Sequence, residues 1–335
     1  MSVLSHFSHL YIETNARHLP LTARLIARFP RATIVEISNY KELFNRPRQD
    51  WRHQQSSKKL IIGVRREAFL YPGSPFVPNF DHSRFFYTTP VLNCIYGCEY
   101  CYLQGMFSSA NLVAFANTDD FLNEATRALH GAPSYLCVSY DTDLLAMEDL
   151  FGYCTLWNEF AHKNPHVMVE VRTKSVNVRP LLSWTPAANM ILAWTLSPSD
   201  IALRFEHGTP SLEARLNAIT TAVQHGITVR LCLDPVLRVD GWQRSYHDLI
   251  ERIRTSIEID KILDISVGVF RINSTYLREM QDRLPHSRIV TYPYAVDHGA
   301  ASYTLDEREE LLNAVVNQLE TFVPKEKICP VPWQL

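Results

Sequence analysis

The chain is expected to be an α/β protein, a partial TIM-like (β/α)6 barrel preceded by a small N-terminal α/β extension. Three observations lead there. From residue 84 onward, apolar runs of six or seven residues alternate with amphipathic stretches of helical length, the pattern of βα units stacked around a parallel sheet. Before residue 84 the elements are shorter and the segment is basic. The 335 residues, 46% hydrophobic and 20% charged, are enough for one large core.

The extension is placed at residues 1–80. It contains an apolar helix near 21–29, a strand-like ATIVEIS at 32–38, a polar stretch at 45–57, KLIIGV at 59–64 and a proline-rich connection at 71–78. The barrel and its C-terminal helices take residues 81–335. Its strands are expected at 84–90, 134–140, 167–173, 191–197, 228–234 and 265–270. Helices fall between them near 118–130, 147–163, 177–184, 211–225 and 241–257, with two more near 274–284 and 306–322. In the last helix Leu311, Leu312, Val315, Val316, Leu319 and Phe322 recur at helical spacing and mark a core face. The sequence has neither an internal repeat nor a low-complexity segment.

There is no run of about 18 apolar residues, and the first twenty residues lack the pattern of a secretory signal. A cytoplasmic protein without a membrane partner is expected. Seven cysteines, three of them within eight residues, do not form a secreted disulfide framework; a tight cluster in a reducing compartment points to metal, and the scattered Cys137, Cys154, Cys232 and Cys329 to core. The net charge of −2 excludes a protein that coats nucleic acid, yet residues 1–70 hold 12 Lys+Arg against 5 Asp+Glu. Arg46, Arg48, Arg52, Lys58, Lys59, Arg65 and Arg66 either hold a phosphate backbone or form a solvated basic face.

The chemistry is carried by Cys94-Ile-Tyr-Gly-Cys98-Glu-Tyr-Cys101, a C-x3-C-x2-C loop directly after the first barrel strand. Three thiolates from one loop hold three irons of a cubane and leave the fourth open to a substrate or cofactor. Structural zinc needs a fourth ligand, and no His or Cys stands at a conventional spacing to complete it. Barrel chemistry sits at the carboxyl ends of strands, where this loop begins.

The loop, with Tyr100 before its last cysteine, resembles that of the radical S-adenosylmethionine enzymes. The resemblance implies a [4Fe-4S] cluster on Cys94, Cys98 and Cys101, chelation of S-adenosylmethionine by the open iron, and reductive release of a 5'-deoxyadenosyl radical. Over nearly the whole length the chain is similar to the spore photoproduct lyase family. The similarity is carried by HLYIET near the start, KLIIGVR at 59–65, CEYCYLQ at 98–104, DTDLLAMEDL at 141–150, FEHGTPSLEARL at 205–216 and DGWQRSYHDL at 240–249. It implies a lyase that reverts a thymine dimer in DNA, with DNA and a small reductant such as flavodoxin or ferredoxin as partners.

Carried over by position, Tyr100, Thr142, Asp143, Lys174 and Thr195 are expected against the cofactor, and Tyr102 beside the radical relay. Lys174, at the end of a strand, suits a cofactor carboxylate. Glu148 is either a further cofactor contact or a helix N-terminal charge. The chain departs from the family in two places. Tyr140 stands where the family has its hydrogen-donating cysteine, so Tyr140 and Cys232 are the candidate donors; Cys137, three residues earlier, is expected on the opposite face of the strand and in the core. The stretch YPYAVDHGAASY at 292–303 replaces a basic aromatic run. Besides lesion repair, the sequence leaves open the same radical chemistry on another nucleobase lesion, nucleoside or peptide, and a non-catalytic iron-sulfur protein that binds DNA or senses redox state.

Overall fold

The computed structural model describes residues 7–73, 79–80 and 82–331, so part of the proline-rich connection at 71–78 lies outside the described residues. In chain order the strands are β1 (His9–Glu13), β2 (Thr33–Ile37), β3 (Leu60–Gly63), β4 (Tyr71–Pro72), β5 (Phe85–Tyr87), β6 (Val91–Leu92), β7 (Gly97–Cys98), β8 (Leu112–Phe115) and β9 (Ser134–Cys137). There follow β10 (Val167–Thr173), β11 (Met190–Thr195), β12 (Glu206–His207), β13 (Thr228–Val236), β14 (Asp264–Val269), β15 (Arg271–Asn273), β16 (Ala295–Asp297), β17 (Ala300–Ser302) and β18 (Ile328–Pro330).

The main sheet runs β18-β14-β13-β11-β10-β9-β5-β4. Its six central strands are the six expected from sequence, side by side in chain order and parallel. Parallel neighbours require a crossover, which the helices Thr118–Leu129, Tyr153–Lys163, Leu212–Gln224 and Trp242–Ser256 provide. With helices covering the sheet, β11 and β14 are buried at every position, which explains why both are mostly apolar. The sheet stays open between β18 and β4, as a partial barrel does.

A second sheet, β2-β1-β3-β8-β6, contains the extension's strands and also β8 and β6 from beyond residue 80. The cysteine loop is therefore anchored to both sheets. A small antiparallel sheet, β15-β17-β16, occupies the 292–303 region, turning at His298 and Gly299, both with positive φ.

Several elements differ from expectation. The helix expected at 147–163 is two helices, Glu148–Phe151 and Tyr153–Lys163, because Gly152 takes φ 69 and breaks the ladder. The segment expected as a helix at 177–184 is a 3-10 turn, Arg179–Ser183, opened by Pro180. The polar stretch at 45–57 includes the helix Trp51–Ser56, capped by Asp50 accepting from His53 N at 2.9 Å. Among the described residues no helix is long and apolar enough to cross a membrane.

Candidate cluster and cofactor site

The cysteine loop begins past the carboxyl end of β5. Asn93, just before Cys94, adopts φ 68, a conformation asparagine tolerates, and its Nδ2 donates to the carbonyls of Ser109 (2.7 Å) and Asn111 (2.8 Å). Cys98 lies in β7, whose antiparallel partner is β12. The turn closes with Cys101 N donating to Cys98 O at 3.1 Å. Gly105 meets the backbone of Tyr276 so closely that a Cβ would lie 2.1 Å from its carbonyl oxygen, which explains the glycine after CYLQ.

All three thiols are free and line one cavity of about 240 Å³ with Tyr100, Tyr102, Tyr140, Thr142, Asp143, Lys174 and Thr195. The structure thus gathers every residue expected at the site except Cys232 and Glu148. Burial pushes the Cys94 thiol up to about 12 and raises Cys98 and Cys101 as well. Two lysines face them. Lys58 is buried and donates to the Cys94 carbonyl, so it does not belong to the basic face proposed from sequence; burial lowers it against the attraction of the thiols. Arg52, Lys59 and Arg66 are likewise engaged, with the Arg283 carbonyl, Ser8 and Glu13. For Lys174 burial opposes the charge, but Cys98 and Glu206 outweigh it and raise the ammonium, which sits 5.4 Å over the Tyr100 ring.

Two features fit an iron-sulfur cluster with an adenosyl cofactor. The Thr142 hydroxyl is buried at the cavity without a hydrogen-bond partner. Lys174 presents a fixed positive charge beside the thiols, suited to a carboxylate.

Asp143 is chiefly a pin. It accepts from Ala146 N (3.0 Å), Thr173 Oγ1 (2.7 Å) and Lys174 N (2.7 Å), and so sets where Lys174 emerges; burial nevertheless raises its carboxyl. Glu148 accepts from Cys154 N (2.7 Å) and Thr155 N (2.9 Å), so it caps a helix and is not among the cavity residues. Tyr100 donates to Glu206, which also receives Ser197 (2.7 Å) and the fully buried Arg215. Through β12 this network fixes β7 and the cluster loop.

Tyr102 donates to the Tyr140 carbonyl (2.6 Å) and to Asp141 Oδ1 (3.0 Å). The Tyr140 ring stacks on Tyr87 at 4.0 Å and lies 6.0 Å from Tyr102. Cys137 ends β9 with its thiol 4.0 Å from Glu170, and Cys232, in register with Thr195, is buried below the cavity and does not line it. Because β9 stops at Cys137, strand alternation does not extend to Tyr140, and the opposite-face argument for Cys137 does not hold.

The sequence also left Arg172, Asp234 and Arg271 unmarked, although they line the cavity. Arg271 grips Asp234 at 2.9 and 3.1 Å, and Arg172 sits 3.7 Å from Asp234. The signal was there: Glu170 and Arg172 alternate on a strand whose other residues are apolar up to Thr173. A larger cleft of about 1020 Å³ lies outside the 206–213 segment, but it holds none of the cysteines, so the chemistry is assigned to the smaller cavity.

The family model described as "Spore photoproduct lyase" matches residues 6–328. A spore photoproduct lyase of Bacillus subtilis (strain 168) is 24% identical, covering 95% of this chain and 96% of its own length. One of Geobacillus sp. (strain Y412MC61) is 23% identical, with 84% and 83% covered. A solved cysteine-to-serine variant of spore photoproduct lyase superposes with a TM-score of 0.83 at 20% identity, covering 98% of both chains. A double variant with bound AdoMet and dinucleoside spore photoproduct also gives 0.83 at 20% identity, covering 98% of this chain and 99% of its own.

Proposed function

Because the chain belongs to the spore photoproduct lyase family, we propose that it is a radical S-adenosylmethionine lyase that reverts a thymine dimer in DNA. The observation that carries this is the convergence of Cys94, Cys98 and Cys101 with Lys174 and Thr142 on one cavity that Tyr102 and Tyr140 also line. Bound there, a [4Fe-4S] cluster and its adenosyl cofactor supply a one-electron cleavage and a radical able to take hydrogen from the thymine ring.

The chain's own residues bind, aim and quench. Cys94, Cys98 and Cys101 would hold three irons. Lys174, steered by Asp143, would meet the cofactor carboxylate, and Thr142 and Thr195 its polar groups. Tyr100 and the Glu206–Arg215 pair keep the loop in place. Once the methylene bridge of the dimer breaks, the product radical needs a hydrogen atom, and Tyr140 is the proposed donor, held flat against Tyr87. Tyr102, bonded to the Tyr140 carbonyl, stands next in line to return it. Cys232 remains a second donor candidate, one layer deeper in the barrel. A small reductant such as flavodoxin or ferredoxin would deliver the electron, and a cytoplasmic setting suits such chemistry. The division at residue 80 is proposed as the border between an extension that anchors the loop and the barrel that holds the site.

The test is anaerobic incubation of the reconstituted, dithionite-reduced protein with adenosylmethionine and a dinucleoside lesion. Conversion to two thymidines is expected. Formation of 5'-deoxyadenosine with the lesion left intact would overturn the substrate. That outcome would favour the same chemistry on another nucleobase lesion, nucleoside or peptide, for which the replacement of the family's cysteine by Tyr140 is the relevant observation. Failure to cleave the cofactor at all would leave the iron-sulfur DNA-binding or redox-sensing alternative.

A further inference from the structure

Behind Tyr140, which lines the reaction cavity, lies a second cavity of about 250 Å³, lined by residues of both the extension and the barrel. Tyr71 and Tyr87, opposite each other across β4 and β5, form one side as a stacked pair with centroids 5.0 Å apart. Phe107 and Met106 form the other, and Met106, 36% exposed, stands at the mouth.

Two polar groups make this more than a packing gap. Asp141 is only 4% exposed; its Oδ1 accepts from Tyr102, and its Oδ2 has no hydrogen bond among the described residues. Asp141 lines this cavity and not the reaction cavity. A carboxylate that protein donors meet on one oxygen only can take a further donor from a ligand. Burial raises this carboxyl to about 7, against the pull of Tyr102 and Arg65, and a ligand N–H donated to it would favour the charged form. Arg65 directs Nε and Nη2 to the Glu67 and Ala68 carbonyls, packs over Tyr71 at 5.5 Å, and keeps Nη1 without a hydrogen bond among the described residues.

Aromatic walls, a carboxylate acceptor and a guanidinium at the rim match a planar heteroaromatic ring that bears N–H donors and carries a phosphate. We propose that this cavity receives the nucleobase next to the lesion on the same strand, stacked against the aromatic side chains and donating to Asp141 Oδ2, with its phosphate toward Arg65. The proposal rests on the lesion-repair function. It makes Asp141 the partition between two subsites: Tyr102 and the reaction on one side, the neighbouring base on the other.

The experiment measures binding by calorimetry, using reconstituted protein with adenosylmethionine and no reductant, so that nothing turns over. The ligands are the lesion dinucleotide, the same lesion extended by one nucleotide on either side, and matching extensions with an abasic unit. On one side the base-bearing extension should bind roughly tenfold tighter than its abasic counterpart, the effect of one stacked base. Met106→Trp, which fills the mouth, should erase that gain while leaving dinucleotide affinity unchanged. Asp141→Asn should shrink the gain. Equal binding of base and abasic extensions, or a gain that survives Met106→Trp, overturns the second cavity alone. Failure of the dinucleotide itself to bind overturns the repair function and this proposal with it.

Discussion

Arg215→Met probes the support beneath the cluster loop. Arg215 is fully buried and donates to the carbonyls of Pro210 (3.0 Å) and Thr195 (3.1 Å), to Thr209 Oγ1 (2.8 Å) and to Glu206. Burial disfavours the Glu206 carboxylate, yet Lys174, Arg215, Tyr100 and Ser197 hold it at about 2 instead of 4.5. A depression of that size is worth about 3 kcal/mol at neutral pH, and stripping one partner from a buried ion pair costs about 3–5 kcal/mol. Urea unfolding at pH 7 should therefore show a loss of about 3–4 kcal/mol, whereas Arg254→Ala, in an exposed pair with Glu251, should leave the midpoint where it was. A depressed carboxylate contributes stability above its unfolded pKa and loses it as pH falls from about 4.5 toward 2. The gap between wild type and variant should accordingly narrow in that range. A loss below about 1 kcal/mol at neutral pH, or a gap that stays constant into acid, would refute the reasoning.

Other consequences are as direct. Cys98→Ala should lose most of its iron and its brown absorbance after reconstitution; iron content equal to wild type would remove Cys98 from the cluster. Tyr140→Phe should slow thymidine formation at least about tenfold while 5'-deoxyadenosine still forms, and an unaltered rate would end its role as donor. Asp141, raised by burial to about 7, costs stability as pH climbs from its unfolded value through neutrality. Wild type should lose about 2–3 kcal/mol more than Asp141→Asn between pH 5 and pH 8, and parallel pH profiles of thermal unfolding would contradict that.

What could be seen in the sequence was whatever one loop or one strand encodes by itself. Cys94, Cys98 and Cys101 declare themselves by spacing, whereas Lys174 stood out only through the family resemblance. Six strands announced the barrel because buried parallel strands are predominantly apolar. What depends on pairing across the fold was hidden. Lys58 looked like part of a basic face, and only packing turns it toward the thiols. Glu148 and Asp143 looked alike as acids, but one caps a helix and the other pins Lys174. Arg215 and Glu206 lie nine residues apart, and nothing in a linear reading says that both end up without solvent. Gly152 did carry a local signal, as a glycine inside a helical pattern, and it breaks the helix where it stands.

The most direct test of a three-thiol cluster with an open iron is Mössbauer spectroscopy of protein reconstituted with 57Fe, before and after S-adenosylmethionine. About a quarter of the iron absorption, the one iron without a thiolate, should change when the cofactor binds, and the rest should stay as it was. Four irons that remain equivalent with saturating cofactor, or iron that never assembles into a cubane, would contradict it.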